Sequence, residues 1–202
     1  LIAMSAATLA GDAPAAKEAI QVNEALAAVL AAQPADIKTR YAARHPAETL
    51  SFFEVQQGDT VIETLPPGGW YSGIIYPYLG ATGKLIGAHY PLSLFERFGW
   101  DKDRLKGALD RDASWPKETV SKAISKGGEV DSFNLSEMPD RFNGTVNKFL
   151  FIRSLHNLNR FGKEAGYLDK ALAEAYRALK PGGIAGVVQH RAPETASAKW
   201  AD

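Results

Sequence analysis

The chain has 202 residues, 46% apolar and 23% charged, the length and balance of one globular domain with a substantial core. Its 23 basic and 23 acidic side chains cancel, which argues against broad electrostatic contact with nucleic acid or an anionic membrane. The absence of cysteine excludes a disulfide framework, a thiolate metal site and a cysteine nucleophile.

Residues 1–16, LIAMSAATLAGDAPAA, are small and apolar before they turn to Gly, Asp and Pro. They read either as the remnant of a secretory leader with its cleavage zone or as an Ala-rich terminus. The first reading sends the protein to the periplasm or outside the cell, and the second leaves it in the cytoplasm. No later stretch approaches the ~18 apolar residues of a membrane-spanning helix.

Residues 17–58 read as N-terminal helices. Ile20, Leu26, Val29 and Leu30 recur at helical spacing over residues 17–32, and Gln33-Pro34 ends that helix. A second helix is expected over residues 34–44. His45-Pro46 then opens a third, because proline suits the first turn of a helix.

From Thr60 the period changes. TVIET predicts a strand over 60–64, LPPGG a tight turn, WYSGIIYPYLG a helix capped by Gly80, and KLIGA a second strand over 84–88. That order is one βαβ unit. Residues 91–127 are polar and read as helices and loops. A third strand is expected over 129–133. VNKFLFI, residues 146–152, is a continuous apolar run suited to a strand buried on both faces. LDKALAEAYRALK, residues 168–180, carries a stripe of Leu168, Leu172, Ala175, Tyr176 and Leu179 and predicts a strong amphipathic helix. Pro181-Gly182-Gly183 ends it, and a fifth strand is expected over 184–190.

Strands alternating with helices predict a Rossmann-like, doubly wound α/β domain over residues 59–202, with a mostly parallel sheet and helices on both faces. Ligands in such sheets sit outside the carboxyl ends of the strands. That places a candidate site near residues 63–69, His89-Tyr90, Asn134, residues 153–157 and residues 189–191. Three of the four histidines, His89, His156 and His190, directly follow an expected strand and are expected on one rim. A histidine there serves as a general base when its pKa lies near the working pH, or as a structural cap. A three-histidine zinc site needs the three strands to be adjacent, so no metal is assigned.

The segment TVIETLPPGGWYSGIIYPYLGATGKLIGAHY resembles the first βαβ unit of a class I S-adenosylmethionine (SAM)-dependent methyltransferase. AEAYRALKPGGIAGVVQH is similar to the helix, LKPGG turn and fifth strand of that fold. More narrowly, RHPAETLSFF, PGGWYS and VVQHRAPE resemble a little-characterised bacterial group of methyltransferases that often carry signal peptides. The resemblance covers about residues 38–195.

The resemblance implies SAM as cofactor and a small molecule as methyl acceptor. It gives Glu63 the place of the acidic residue that orients the turn and lies near the methionine amine of SAM. It sets Gly68 and Gly69 where backbone lies against the cofactor. His89 takes the ribose side and Asn134 the adenine side. It puts residues 153–157 opposite the transferable methyl, with His156 as general base, and His190 and Arg191 beside the acceptor, where an arginine favours an anionic group.

The pattern departs from the family in three ways. The usual glycine positions two and four after the acid hold Leu65 and Pro67, and only Gly69 is kept. The second strand ends in His89-Tyr90 instead of an acid. The chain stops at Asp202, before the last helix and two strands of such domains, which leaves an apolar sheet edge that favours a homodimer. These departures keep a second function open, a catalytically degenerate methyltransferase-like binding protein. A dinucleotide oxidoreductase ranks last, since it needs an acid after the second strand and a G-x-G-x-x-G turn.

Overall fold

The computed structural model describes residues 21–64, 67–190 and 193–195. The leader expected in residues 1–16 therefore lies outside the described residues, as do Leu65 and Arg191.

Four short helices open the described chain: α1 (Glu24–Ala32), α2 (Ala35–Lys38), α3 (Tyr41–Arg44) and α4 (Pro46–Phe52). Asn23 caps α1 by accepting a hydrogen bond from the Ala25 N–H at 2.7 Å, and residues 17–20 of the helix expected over 17–32 lie outside the described residues. The single helix expected over 34–44 is split between α2 and α3. His45 adopts a left-handed φ of 44° and turns the chain into α4, which Pro46 opens as anticipated.

Then follow β1 (Thr60–Thr64), α5 (Ser72–Leu79), β2 (Lys84–His89), α6 (Leu92–Arg97), α7 (Lys102–Lys122) and β3 (Glu129–Asn134). The chain ends with β4 (Val146–Ile152), α8 (Leu155–Asn159), α9 (Gly162–Ala165), α10 (Tyr167–Ala178) and β5 (Leu179–Val188). All five strands join one sheet in the order β3-β2-β1-β4-β5, and every neighbouring pair is parallel. The expected parallel sheet with its helical crossovers is therefore present. The chain steps outward from β1 to β3 and returns to β4 on the other side of β1. The crevice at that reversal, over the carboxyl ends of β1 and β4, is where this architecture seats ligands.

Side chains alternate across each strand, so the sheet feeds two cores. Ile62, Ile86, Phe149 and Phe151 pack with Ala171 and Ala175 of α10 on one face. Val61, Leu85 and Leu150 pack with Ile74 and Ile75 of α5 and with Leu26 and Leu30 of α1 on the other.

Two elements differ from the sequence reading. The polar region after β2 holds a 21-residue helix, α7, capped by Asp101, whose Oδ1 accepts the Arg104 N–H at 2.9 Å. It runs through Pro116, which has no N–H to give the carbonyl of Asp112 four residues back. Trp115 anchors this helix directly on β2. A Cβ built on Gly87 would lie 2.8 Å from Trp115 Cζ3, so only glycine lets the indole lie there. The second difference is β5, which begins at Leu179 instead of 184. Leu179 already pairs with Val146, and the register then shifts so that Ile184 meets Lys148. The Pro-Gly-Gly segment is thus a bulge within the strand, with Gly182 at φ 78°. The strand stops at Val188, which leaves His190 just beyond its end.

Candidate functional site at the carboxyl edge of the sheet

Glu63 is the fourth residue of β1 and is 5% exposed. The strand sets it on the same face as Val61, toward α5. There the Ser72 hydroxyl, in the first turn of α5, donates to Oε2 at 2.6 Å. Burial pushes the Glu63 carboxyl up to about 7, while Ser72 and the Arg44 guanidinium pull the other way.

Between Glu63 and α5 lies a turn in which Gly68 (φ 70°) and Gly69 (φ 62°) are both left-handed. A Cβ built on either would meet nothing within 4 Å among the described residues, so on that side their backbone fronts open space. Trp70 and Tyr71, just after the turn, carry the N-terminal helices. Trp70 Nε1 donates to the Ile37 carbonyl at 3.2 Å, and the Tyr71 hydroxyl donates to the Arg44 carbonyl at 2.7 Å. The Arg44 guanidinium lies 4.6 Å from the Trp70 ring centroid. Partial burial and the nearby charges of Arg40 and Arg153 hold its pKa down. The segment 35–44 thus roofs the turn beside Glu63. His45 lies apart, with Nδ1 3.5 Å from Glu48 Oε1 at the surface.

The ends of three strands are tied together beneath the site. The Thr64 and Ser154 hydroxyls lie 2.6 Å apart, and the Tyr90 hydroxyl donates to the Ser154 carbonyl at 2.5 Å. Arg153, directly after β4, is held at a left-handed φ of 57°, with its N–H on the Val188 carbonyl at 2.7 Å. A non-glycine residue in that region is strained, and such strain concentrates at functional sites.

Above this base, His156 and His190 come together with ring centroids 6.3 Å apart in an edge-on arrangement. Arg153 Nε donates to His190 Nε2 at 3.1 Å. Gln189 Nε2 lies 2.9 Å from His156 Nδ1. With the amide donating, His156 carries its proton on Nε2. All four side chains are exposed at the rim.

His89 is placed elsewhere. It ends β2, which β1 separates from β4, and its Nδ1 lies 3.0 Å from Asp112 Oδ1. Its ring meets Trp115 edge-on at 5.6 Å. Asn134 ends β3 directly opposite His89 and is half-buried. The rim therefore joins two of the three strand-end histidines and leaves the third with α7. Among the described residues no cluster of three His, Asp or Glu is placed to hold a metal ion, and no helix is long and apolar enough to cross a membrane.

Sequence reasoning missed Arg44, Ser72, Asp112 and Trp115. Ser72 had a local signal, since it sits in the PGGWYS turn. Asp112 and Trp115 had none, because a polar helix with an internal proline gives no hint of which turn meets β2.

The same fold occurs in solved structures. A SAM-dependent methyltransferase from Aquifex aeolicus matches with a TM-score of 0.53 and 19% identity, covering 84% of this chain and 80% of that one. An arsenic(III) S-adenosylmethionine methyltransferase from Chlamydomonas reinhardtii matches with a TM-score of 0.45 and 16% identity, covering 85% of this chain and 52% of that one. At such identity the likeness to the Aquifex protein shows a shared Rossmann-like fold and nothing finer. No family model and no curated protein matches the chain.

Proposed function

We propose that this chain binds S-adenosylmethionine at the carboxyl edge of its sheet and transfers the methyl group to a small-molecule acceptor. The observation that carries this reading is the buried, Ser72-bonded carboxylate of Glu63 beside two left-handed glycines whose backbone fronts open space. The residues present fit the cofactor: open backbone at Gly68 and Gly69, a buried acid at the end of β1, and buried polar atoms on His89, Asp112 and Trp115 near the end of β2 that have no partner among the described residues.

When bound, the cofactor supplies an activated methyl on a sulfonium. Glu63 holds its ammonium by charge and hydrogen bonding. The free N–H groups at the start of α5 and the backbone of Gly68 and Gly69 line the turn side. His89 and Asn134 take the nucleoside side. Because the methyl is already activated, the chain's remaining work is alignment and proton removal. His156 takes the acceptor's proton on Nε2 in the tautomer that carries its own proton on Nδ1, which the Gln189 amide holds once it turns its oxygen to that nitrogen. His190 and Arg191 hold the acceptor, and the neighbouring charges of Arg44 and Arg153 favour an acceptor with an anionic group. The segments RHPAETLSFF, PGGWYS and VVQHRAPE set the chain beside the little-characterised bacterial group they resemble. The frequent export of that group supports a periplasmic address over a cytoplasmic one, and fractionation of the protein between periplasm and cytoplasm tests it.

A second reading, a degenerate domain that binds without turnover, is favoured by Pro67, which has no N–H to offer in the turn. Calorimetry with SAM and S-adenosylhomocysteine tests binding. Transfer of a labelled methyl separates the two readings.

A further inference from the structure

The roof over the glycine turn is fastened along one side. Segment 35–44 holds to Trp70 and Tyr71 by the two bonds described above, and the Thr49 hydroxyl also donates to the Arg44 carbonyl at 3.3 Å. Tyr41 meets the Trp70 ring edge-on at 6.1 Å, and its hydroxyl donates to the Leu30 carbonyl at 2.9 Å. Among the described residues no hydrogen bond of the segment reaches the loop after β4, across the crevice.

Like charges stand there instead. Arg153, which opens the loop after β4, and Arg40 both depress the Arg44 pKa, and they outweigh the opposite pull of Glu63. Glu63 is already held by Ser72. Among the described residues neither Arg44 nor Arg153 forms an ion pair. Cations gathered at a crevice without a counter-ion favour an anionic ligand.

Both guanidinium groups have donors to give. Arg44 rests over the Trp70 ring, a contact that leaves its N–H groups unspent. Arg153 spends Nε on His190 and keeps its two terminal nitrogens. Its left-handed backbone fixes where the side chain leaves β4. Arg44 is half-buried and Arg153 is exposed, so a ligand reaches both from solvent.

Resting on the proposed function above, we propose that Arg44 and Arg153 seat a single oxyanion of the acceptor, a carboxylate or a phosphate, and that filling this seat draws segment 35–44 shut over the crevice. The planar forks of two arginines match either group. The anion cancels the repulsion that holds the free side of the roof away from β4. The acceptor therefore enters after the cofactor and closes the site over itself, which excludes water when the methyl is transferred.

The test uses the protein saturated with S-adenosylhomocysteine, so that the carboxylate of that ligand is already accommodated. Sodium phosphate is titrated in one arm and sodium acetate in another, with sodium chloride holding the ionic strength constant. The Trp70 indole N–H resonance and hydrogen exchange of the Arg44 and His45 amides report the roof. The expected result is a saturable shift of the resonance and slower exchange in at least one arm, and the arm that saturates at lower concentration names the acceptor's group. Arg44→Gln and Arg153→Gln should each weaken that response by about tenfold or more, the range for losing a charged hydrogen bond, and leave S-adenosylhomocysteine affinity within about twofold. A response that rises without saturating in both arms, or saturation unchanged in both variants, would overturn the seat and leave cofactor binding intact. So would a large loss of S-adenosylhomocysteine affinity in Arg44→Gln, which would give this arginine to the cofactor's own carboxylate. Failure of wild type to bind S-adenosylhomocysteine would overturn the proposed function and the seat with it.

Discussion

Ser72 donates its hydroxyl to Glu63 Oε2 at 2.6 Å, joining the first turn of α5 to the end of β1 across the glycine turn. This bond holds a buried carboxylate whose pKa is pushed up to about 7. A carboxyl raised in the folded state binds more protons than in the unfolded chain, so its ionisation opposes folding as pH climbs from about 4.5 to about 7. Glu63→Gln should therefore be more stable than wild type above about pH 7, by at most roughly 3 kcal/mol, with little difference below about pH 4.5. Denaturant unfolding near pH 5 and near pH 8 checks this. A wild-type advantage at the higher pH would contradict it.

The same group sets a pH dependence for binding. A ligand ammonium beside Glu63 favours the ionised carboxyl, so binding below about pH 7 should release a proton from Glu63. Affinity for S-adenosylhomocysteine should rise as pH passes upward through that range and then level off. Calorimetry in buffers of different ionisation enthalpy measures the proton count, and Glu63→Gln should abolish the release.

His156→Gln should leave S-adenosylhomocysteine affinity unchanged and lower methyl transfer by about 10²- to 10⁴-fold, the range for loss of a general base. The assay follows a labelled methyl from S-adenosylmethionine into a small-molecule extract. Transfer at the wild-type rate would remove His156 from proton handling and leave the fold and the cofactor site untouched.

Gly87→Ala should destabilise the protein by about 1–3 kcal/mol, the range for overpacking a well-filled interior. A Cβ there would lie 2.8 Å from the Trp115 ring, which α7 carries onto β2. Thermal unfolding reports the loss, and the Trp115 indole N–H resonance reports the indole's movement. An unchanged melting temperature would mean that the α7 contact with β2 is loose.

The architecture was legible because period and order are local properties. TVIET and VNKFLFI are strands at the residues that their apolar runs mark. Glu63 and the glycine turn were legible for the same reason, since a strand, its last acid and the turn lie within a few residues of one another. Boundaries set by partners were not. Leu179 joins β5 because Val146 stands opposite it, which the LKPGG motif by itself does not reveal. His89 drew attention as a strand-end histidine, but its partners come from α7. Whether a strand-end side chain meets the rim or a crossing helix depends on how that helix packs, and spacing along the chain carries no record of it.

Calorimetric titration of S-adenosylhomocysteine into wild type and Glu63→Ala is the most direct measurement of the central claim. The expected result is saturable one-to-one binding by wild type, with Glu63→Ala weaker by about 1–3 kcal/mol while its circular dichroism and melting stay those of a folded protein. Absence of binding to folded wild type, or equal affinity in the folded variant, would contradict the assignment of Glu63 and its glycine turn as a cofactor site.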